Sequence, residues 1–180
     1  MSNKNISKNY TTRLTQTALT ASVALILAYL EMILPDLPFV LPGMKLGLSN
    51  IATMFALEVL SLPSALFICL CKAVLALIMR GFTAFLMSLT GGILSTVFMF
   101  LLIKSRKIKF GYIGVGIGGA WFHNIGQLII AYFFTDKSVF AYLPVLCLSA
   151  ILTGTVTALT LFVLLPNIIK MPVFKNQNSH

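Results

Sequence analysis

Charged side chains are scarce in this sequence of 180 residues. Asp, Glu, Lys and Arg make up 9% of it, whereas 58% of the residues are hydrophobic and the mean hydropathy is +0.97. A soluble domain carries about 25% charged residues. The composition therefore excludes an ordinary soluble domain and predicts an integral membrane protein.

Sequence motifs that would carry catalysis are also absent. The sequence contains no phosphate-binding loop of the Walker type, no nucleophile elbow and no HExxH metal motif. Three cysteines, Cys69, Cys71 and Cys147, lie inside apolar runs with no CxxC pair. This pattern indicates small packing residues rather than a disulfide framework or a metal site. We therefore expect no catalytic residue, no metal and no cofactor.

Basic residues outnumber acidic ones by 13 to 4, which gives a formal net charge of +9. Such an excess can indicate a nucleic-acid binder. Here, however, the basic residues sit in short segments between apolar runs, where they set the orientation of a membrane protein. The sequence therefore predicts the lipid bilayer, and no nucleic acid, as a partner.

Apolar runs of membrane-spanning length follow one another along the chain, separated by short polar, Pro- or Gly-containing segments. We predict an all-α bundle of six transmembrane helices over residues 14–165, between polar tails at 1–13 and 166–180. The predicted helices cover residues 14–34, 44–60, 62–79, 82–103, 111–134 and 139–165.

The distribution of basic residues predicts the orientation, because cytoplasmic segments carry an excess of Lys and Arg. Six helices place both termini on one side. Nine basic residues lie in the segments of that side: Lys4, Lys8, Arg13, Lys104, Arg106, Lys107, Lys109, Lys170 and Lys175. Three lie in the segments of the other side: Lys45, Arg80 and Lys137. Both termini are therefore predicted to be cytoplasmic, in a multi-pass protein of the bacterial plasma membrane.

The run at residues 111–134 places His123, Asn124 and Gln127 near the middle of a predicted span. Polar groups in hydrocarbon face a bundle interior or a water-filled cavity. His123 and Gln127 share one helix face, since they are four residues apart. The sequence therefore predicts one wall of a polar pocket here.

Polar residues of the other helices lie between the predicted outer face and the membrane midplane, judged by the helical rise of about 1.5 Å per residue. This profile predicts a cavity that opens outward and has an apolar floor. The candidate solute-binding residues are Lys45, Asn50, Lys72, Arg80, His123, Asn124 and Gln127.

Several of these residues also admit structural roles. Lys72 could form an ion pair with Glu58, or extend its ammonium group toward the membrane surface, instead of facing a ligand. His123 could make a hydrogen bond between helices, and Lys45 and Arg80 could be interfacial anchors. The Pro-rich segment 35–43 could fold over the pocket as a lid or be a plain interfacial loop.

Small residues repeat at four-residue spacing on the first predicted helix, a pattern typical of close helix contacts. They form a candidate docking surface for another protein, with packing inside the bundle as the alternative. These residues are Ala18, Ser22, Ala24 and Ala28.

Four short motifs occur in an order that resembles the Gx transporter family, whose members are often labelled heptaprenyl diphosphate synthase component I. They are PGMKLGLSN (42–50), RGF (80–82), TGG (90–92) and GGAWFHNIGQ (118–127). The resemblance covers nearly all of residues 14–165. That family is in turn similar to the substrate-binding S-components of energy-coupling factor transporters.

The resemblance implies six membrane helices that bind a small polar or anionic, vitamin-like or quinone- or isoprenoid-precursor solute near the outer face. It also implies a transmembrane coupling subunit and ATPases as partners, docked through small residues of the first helix. Trans-type prenyl diphosphate synthases hold magnesium with two Asp-rich motifs, whereas this chain has only Asp36 and Asp136.

The sequence thus supports a non-enzymatic, solute-binding transporter subunit as the first hypothesis. The second is a membrane subunit in heptaprenyl diphosphate or menaquinone synthesis that is non-catalytic or depends on a partner chain for its carboxylates. The third is a membrane scaffold for a redox or lipid-modifying complex.

Overall fold

A computed structural model describes residues 2–33, 48–105 and 111–174, with side chains from Tyr10 onward in the first of these ranges. Across these ranges the chain is helical, with no β-strand. The helices are α1 (Ser2–Ile33), α2 (Leu48–Phe55), α3 (Leu62–Arg80), α4 (Phe82–Lys104), α5 (Tyr112–Phe134) and α6 (Leu143–Ile169). The predicted all-α fold is confirmed over the described residues.

Local sequence signals set the junctions between these helices. A π-helical segment, Ala56–Leu60, continues α2. Ser61 then caps α3, its hydroxyl accepting a hydrogen bond from Ser64 N–H at 3.4 Å. Gly81 separates α3 from α4 with a φ of +87°, a backbone conformation that side chains disfavour. A 3₁₀ turn, Lys137–Tyr142, leads from α5 into α6. The predicted helix starts at residues 62 and 82 are confirmed.

Five of the helical segments are long and apolar enough to cross a membrane. Their outward surfaces carry large apolar side chains, including Ile78, Phe133 and Leu152, which are 69–75% exposed. An exposed apolar surface of this extent indicates a multi-pass membrane protein. The segment Leu48–Leu60 is shorter. At the helical rise it spans about 20 Å, less than the hydrocarbon thickness of about 30 Å.

Two predicted helices have other bounds in the structure. The first helix, predicted to begin at residue 14, begins at Ser2 because residues 2–13 contain neither Pro nor Gly to interrupt it. The sixth, predicted over 139–165, covers Leu143–Ile169 and follows the 3₁₀ turn. Residues 44–47 of the second predicted helix lie outside the described residues. The predicted loop at 35–43 lies outside the described residues.

Close helix contacts depend on glycine at two places. A Cβ on Gly126 of α5 would lie 2.6 Å from Gly91 Cα of α4. Likewise, a Cβ on Gly154 of α6 would lie 2.5 Å from Ile117 Cα of α5. Glycine therefore allows α5 to approach both neighbours at backbone distance. α4 in turn contacts both α3 and α5: its Gly92 packs against Cys69 of α3, and its Gly91 packs against His123 of α5.

The bundle has two chemically different ends. At the terminal end, defined by Gln16, Ser61 and Val173, the Gln16 amide nitrogen donates to Val173 O at 2.6 Å. An apolar core fills the interior toward this end, and α2 to α6 each contribute to it. Representative buried members are Met54, Ile68, Met99, Val115 and Leu161. The opposite end, where α1 ends and α2 begins, is the cavity end.

Candidate functional site

A cavity of about 360 Å³ occupies the cavity end of the bundle. Its walls come from α1 to α6 and from the turn before α6. The polar lining residues are Glu31, Ser49, Asn50, Lys72, Ser88, His123, Asn124, Gln127, Thr135, Tyr142, Ser149 and Thr153. Alanines and larger apolar side chains, among them Met32 and Met87, complete the lining. This volume lies in the range of small-molecule sites, which is about 300–1,000 Å³.

Lys72 lies midway along α3, with its side chain 6% exposed. Its Nζ donates to Asn50 Oδ1 at 3.0 Å and to Thr53 Oγ1 at 3.4 Å, both on α2. A lysine at the bilayer centre costs about 2.5–3.5 kcal/mol on insertion scales, so it requires polar partners or water. The two α2 oxygens supply those partners at the cavity wall.

The ion pair between Lys72 and Glu58, one of the alternatives for Lys72, does not form. Glu58 is exposed at the π-helical segment and accepts a hydrogen bond from Tyr112 OH at 3.3 Å. The hairpin register places the Glu58 level about 10 Å from Lys72, and the nearer oxygens of Asn50 and Thr53 take the ammonium hydrogens instead.

Glu31, at the end of α1, is the buried carboxylate of the cavity. Its Oε1 accepts from Leu48 N–H at 2.5 Å, and its Oε2 accepts from Ser49 N–H at 3.4 Å and from Ser49 Oγ–H at 3.0 Å. The first N–H groups of a helix have no partner within the helix. Glu31 therefore caps α2 and fixes the segment that carries Asn50.

The polar residues of α5 divide between two neighbours. Gln127 Nε2 and His123 Nε2 are 3.2 Å apart across one helical turn, as their spacing predicted. Asn124 faces α6, where its Nδ2 donates to Leu146 O at 3.0 Å and to Ser149 Oγ at 3.3 Å. Gly91 of α4 packs directly against His123, since a Cβ at residue 91 would lie 2.8 Å from His123 O.

The structure brings five of the seven predicted site residues to one cavity: Asn50, Lys72, His123, Asn124 and Gln127. Arg80 does not line this cavity and is exposed in the last turn of α3. Lys45 lies outside the described residues. The helical rise predicts the position of a polar residue along the helix axis. It does not predict whether that residue, such as Arg80, lies on the helix face that lines the cavity.

The four small residues of α1 separate onto two faces. Ala24 and Ala28 are buried, with exposures of 0% and 4%, and Ala28 lines the cavity. Ala18 and Ser22 are exposed. A partner docking on α1 would therefore contact Ala18 and Ser22, while Ala24 and Ala28 serve packing inside the bundle.

Several residues of the lining were not among the predicted site residues, chiefly Glu31, Ser49, Ser149 and Thr153. Ser149 and Thr153 are four residues apart and so share the cavity face of α6. This spacing was available in the sequence. The role of Glu31 was not, because it depends on where α2 begins in space. Among the described residues, no three His, Cys, Asp or Glu side chains are grouped as a metal site.

Comparison with known proteins gives one match. A family model described as heptaprenyl diphosphate synthase component I matches residues 20–164, which include every described residue of the cavity. No curated protein and no solved structure matches the chain.

Proposed function

We propose a function for this chain, which belongs to the heptaprenyl diphosphate synthase component I family. We propose that it is the solute-binding subunit of a membrane transporter, similar to an S-component, for a small polar or anionic solute. The alternative associated with the family description, a subunit of prenyl diphosphate synthesis, is considered last.

The cavity is the observation that carries this proposal. It places Lys72, Asn50, Asn124 and Gln127 around a space of about 360 Å³, inside helices whose outer surfaces are apolar. Polar groups at membrane depth are costly unless they meet partners, water or a ligand. The apolar core around Met54 and Ile68 closes the interior toward the terminal end. A cavity that an apolar core closes on one side suits binding better than a continuous channel.

We further propose that the chain crosses the membrane six times, with both termini in the cytoplasm and the cavity end outside. The excess of basic residues in the termini and the 104–109 segment supports this orientation. The second crossing is the one predicted over residues 44–60, of which the structure describes Leu48 onward. A coupling subunit and ATPases would then act from the cytoplasmic side, with Ala18 and Ser22 as the contact on α1.

The binding proposal can be tested by identifying what the purified protein retains. The full chain is extracted from membranes in detergent, and small molecules released by denaturation are identified by mass spectrometry. We expect one non-lipid compound in wild type, retained by Arg80→Gln and lost from Gln127→Leu. Arg80→Gln is the matched control because it changes a polar side chain outside the cavity. Equal retention by Gln127→Leu and Arg80→Gln would contradict the proposal.

The family description favours a second candidate, a membrane subunit in heptaprenyl diphosphate synthesis. Magnesium-dependent chain elongation requires clustered carboxylates, and the sequence contains only two Asp and two Glu residues. A partner chain would therefore have to supply them. Purified protein mixed with prenyl diphosphates and magnesium should give no elongation alone. Stimulation of a catalytic partner by this chain would favour the second candidate over the first.

A further inference from the structure

One wall of the cavity presents hydrogen-bond donors. The Lys72 ammonium has three N–H groups and can only donate. Two of them meet Asn50 Oδ1 and Thr53 Oγ1 on α2, which leaves one for the cavity that Lys72 lines. Because Asn50 uses its oxygen toward a donor, its amide N–H₂ group is left for the cavity. In the part of the chain that the structure describes, no protein acceptor meets that N–H₂ group.

The wall formed by α5 presents an acceptor. Asn124 donates from Nδ2 to Leu146 O, and a carbonyl oxygen can only accept. The orientation of the Asn124 amide is therefore fixed, and its Oδ1 remains for the cavity that Asn124 lines. The donor wall belongs to α2 and α3, whereas this acceptor belongs to α5, and both line the same cavity.

The two charged groups of the lining are not equivalent. The negative charge of Glu31 is held by two N–H groups and a hydroxyl at the start of α2. The Lys72 ammonium donates hydrogen bonds to the neutral oxygens of Asn50 and Thr53, and within the described ranges no carboxylate oxygen lies within 4.0 Å of its Nζ. The Glu31 carboxylate, which lines the same cavity, acts on this charge only from a longer distance. Lys72 thus leaves a positive charge at the cavity wall, where an anionic group would strengthen its hydrogen bonding.

We propose that the solute is a small organic acid whose anionic group binds Lys72 and Asn50 and whose N–H or O–H donor binds Asn124. Hydroxy-substituted carboxylic acids, which carry a net negative charge at neutral pH, are the simplest members of this class. The assignment rests on the proposed solute-binding function and specifies its ligand chemistry.

The experiment separates ligand charge from ligand binding. A small-molecule extract of bacterial cells is divided by ion exchange into anionic, neutral and cationic fractions. Each fraction is added to the dialysed, detergent-solubilised full chain, and the thermal unfolding midpoint is measured. We expect the anionic fraction to raise the midpoint and the other two to leave it unchanged.

Variants then identify the groups that recognise the solute. Lys72→Met should require at least about tenfold more of the anionic fraction for half-maximal stabilisation, the loss typical of a hydrogen bond to a charged group. Asn124→Leu should require about two- to tenfold more, the loss typical of a neutral hydrogen bond. Their matched controls, Arg80→Gln and the exposed Asn167→Leu, should behave like wild type. If Lys72→Met does not fold, the wild-type response to the three fractions still decides the ligand class.

Two results would overturn the inference in distinguishable ways. Stabilisation by the neutral or cationic fraction, with none by the anionic fraction, would refute the organic-acid class and leave solute binding intact. No stabilisation by any of the three fractions would refute the solute-binding function together with the inference drawn from it.

Discussion

Glu31 and Ser49 join the end of α1 to the start of α2. The carboxylate accepts the Ser49 hydroxyl hydrogen at 3.0 Å and the Ser49 N–H at 3.4 Å, while Leu48 N–H donates to its other oxygen. A carboxylate at a helix N-terminus is stabilised by the unpaired N–H groups and by the helix dipole. The next residue, Asn50, accepts a hydrogen bond from the Lys72 ammonium group. The cap therefore positions the donor wall of the cavity.

Replacing the capping carboxylate should destabilise the fold. Glu31→Ala leaves two α2 N–H groups without their acceptor, and each such group costs about 1–3 kcal/mol when it is buried. We expect a lower thermal unfolding midpoint in detergent. Glu58→Ala is the control, because Glu58 is exposed at the terminal end. Equal midpoints for the two variants would show that the cap contributes nothing to stability.

The contacts of Lys72 predict independence from Glu58. In a double-mutant cycle of Lys72→Met and Glu58→Gln, the two effects on the free energy of unfolding should add within about 0.3–0.5 kcal/mol. The reason is that Lys72 bonds to Asn50 and Thr53, whereas Glu58 bonds to Tyr112. Recovery of stability in the double variant would instead establish an ion pair between Lys72 and Glu58.

The helix boundaries were largely predictable because they depend on local chemistry. Proline at residue 63 and glycine at residue 81 interrupt the apolar runs, and the structure begins α3 and α4 at Leu62 and Phe82. Depth along each helix was also predictable from the rise per residue. Asn50, Lys72 and Gln127 reach one cavity for that reason.

What the sequence could not supply was direction around each helix and the choice of partner. Arg80 is exposed in the last turn of α3 and does not line the cavity. Lys72 donates to neutral oxygens of Asn50 and Thr53 on α2, partners that were not among the alternatives considered for it. Glu31 bonds to residues 17 and 18 positions further along the chain. Such contacts depend on tertiary placement, which periodicity does not encode.

The contact between α4 and α5 should be sensitive to a single methyl group. Gly126→Ala places a Cβ 2.6 Å from Gly91 Cα, so the helices must separate. Overpacking of this kind costs about 1–3 kcal/mol. We expect a lower unfolding midpoint and weaker solute binding, because Gly91 also packs against His123. Gly111→Ala is the matched control, since a Cβ there meets nothing within 4 Å. Equal stability of the two variants would contradict this account of the interface.

The side of the membrane that the cavity end faces can be determined by finding which loops are outside the cell. With nine basic residues on the side of the termini and three on the other, we expect residue 37 outside and residue 106 inside. In a background with Cys69, Cys71 and Cys147 replaced by Ala, Leu37→Cys and Arg106→Cys are labelled in intact cells with a membrane-impermeant thiol reagent. Labelling of Leu37→Cys alone is expected. After permeabilisation, Arg106→Cys should also react, which controls for its accessibility.

Labelling of Arg106→Cys alone in intact cells would show that the protein has the opposite orientation in the membrane. The cavity end would then face the cytoplasm, and the proposal of uptake from outside would fail even if the cavity binds its solute.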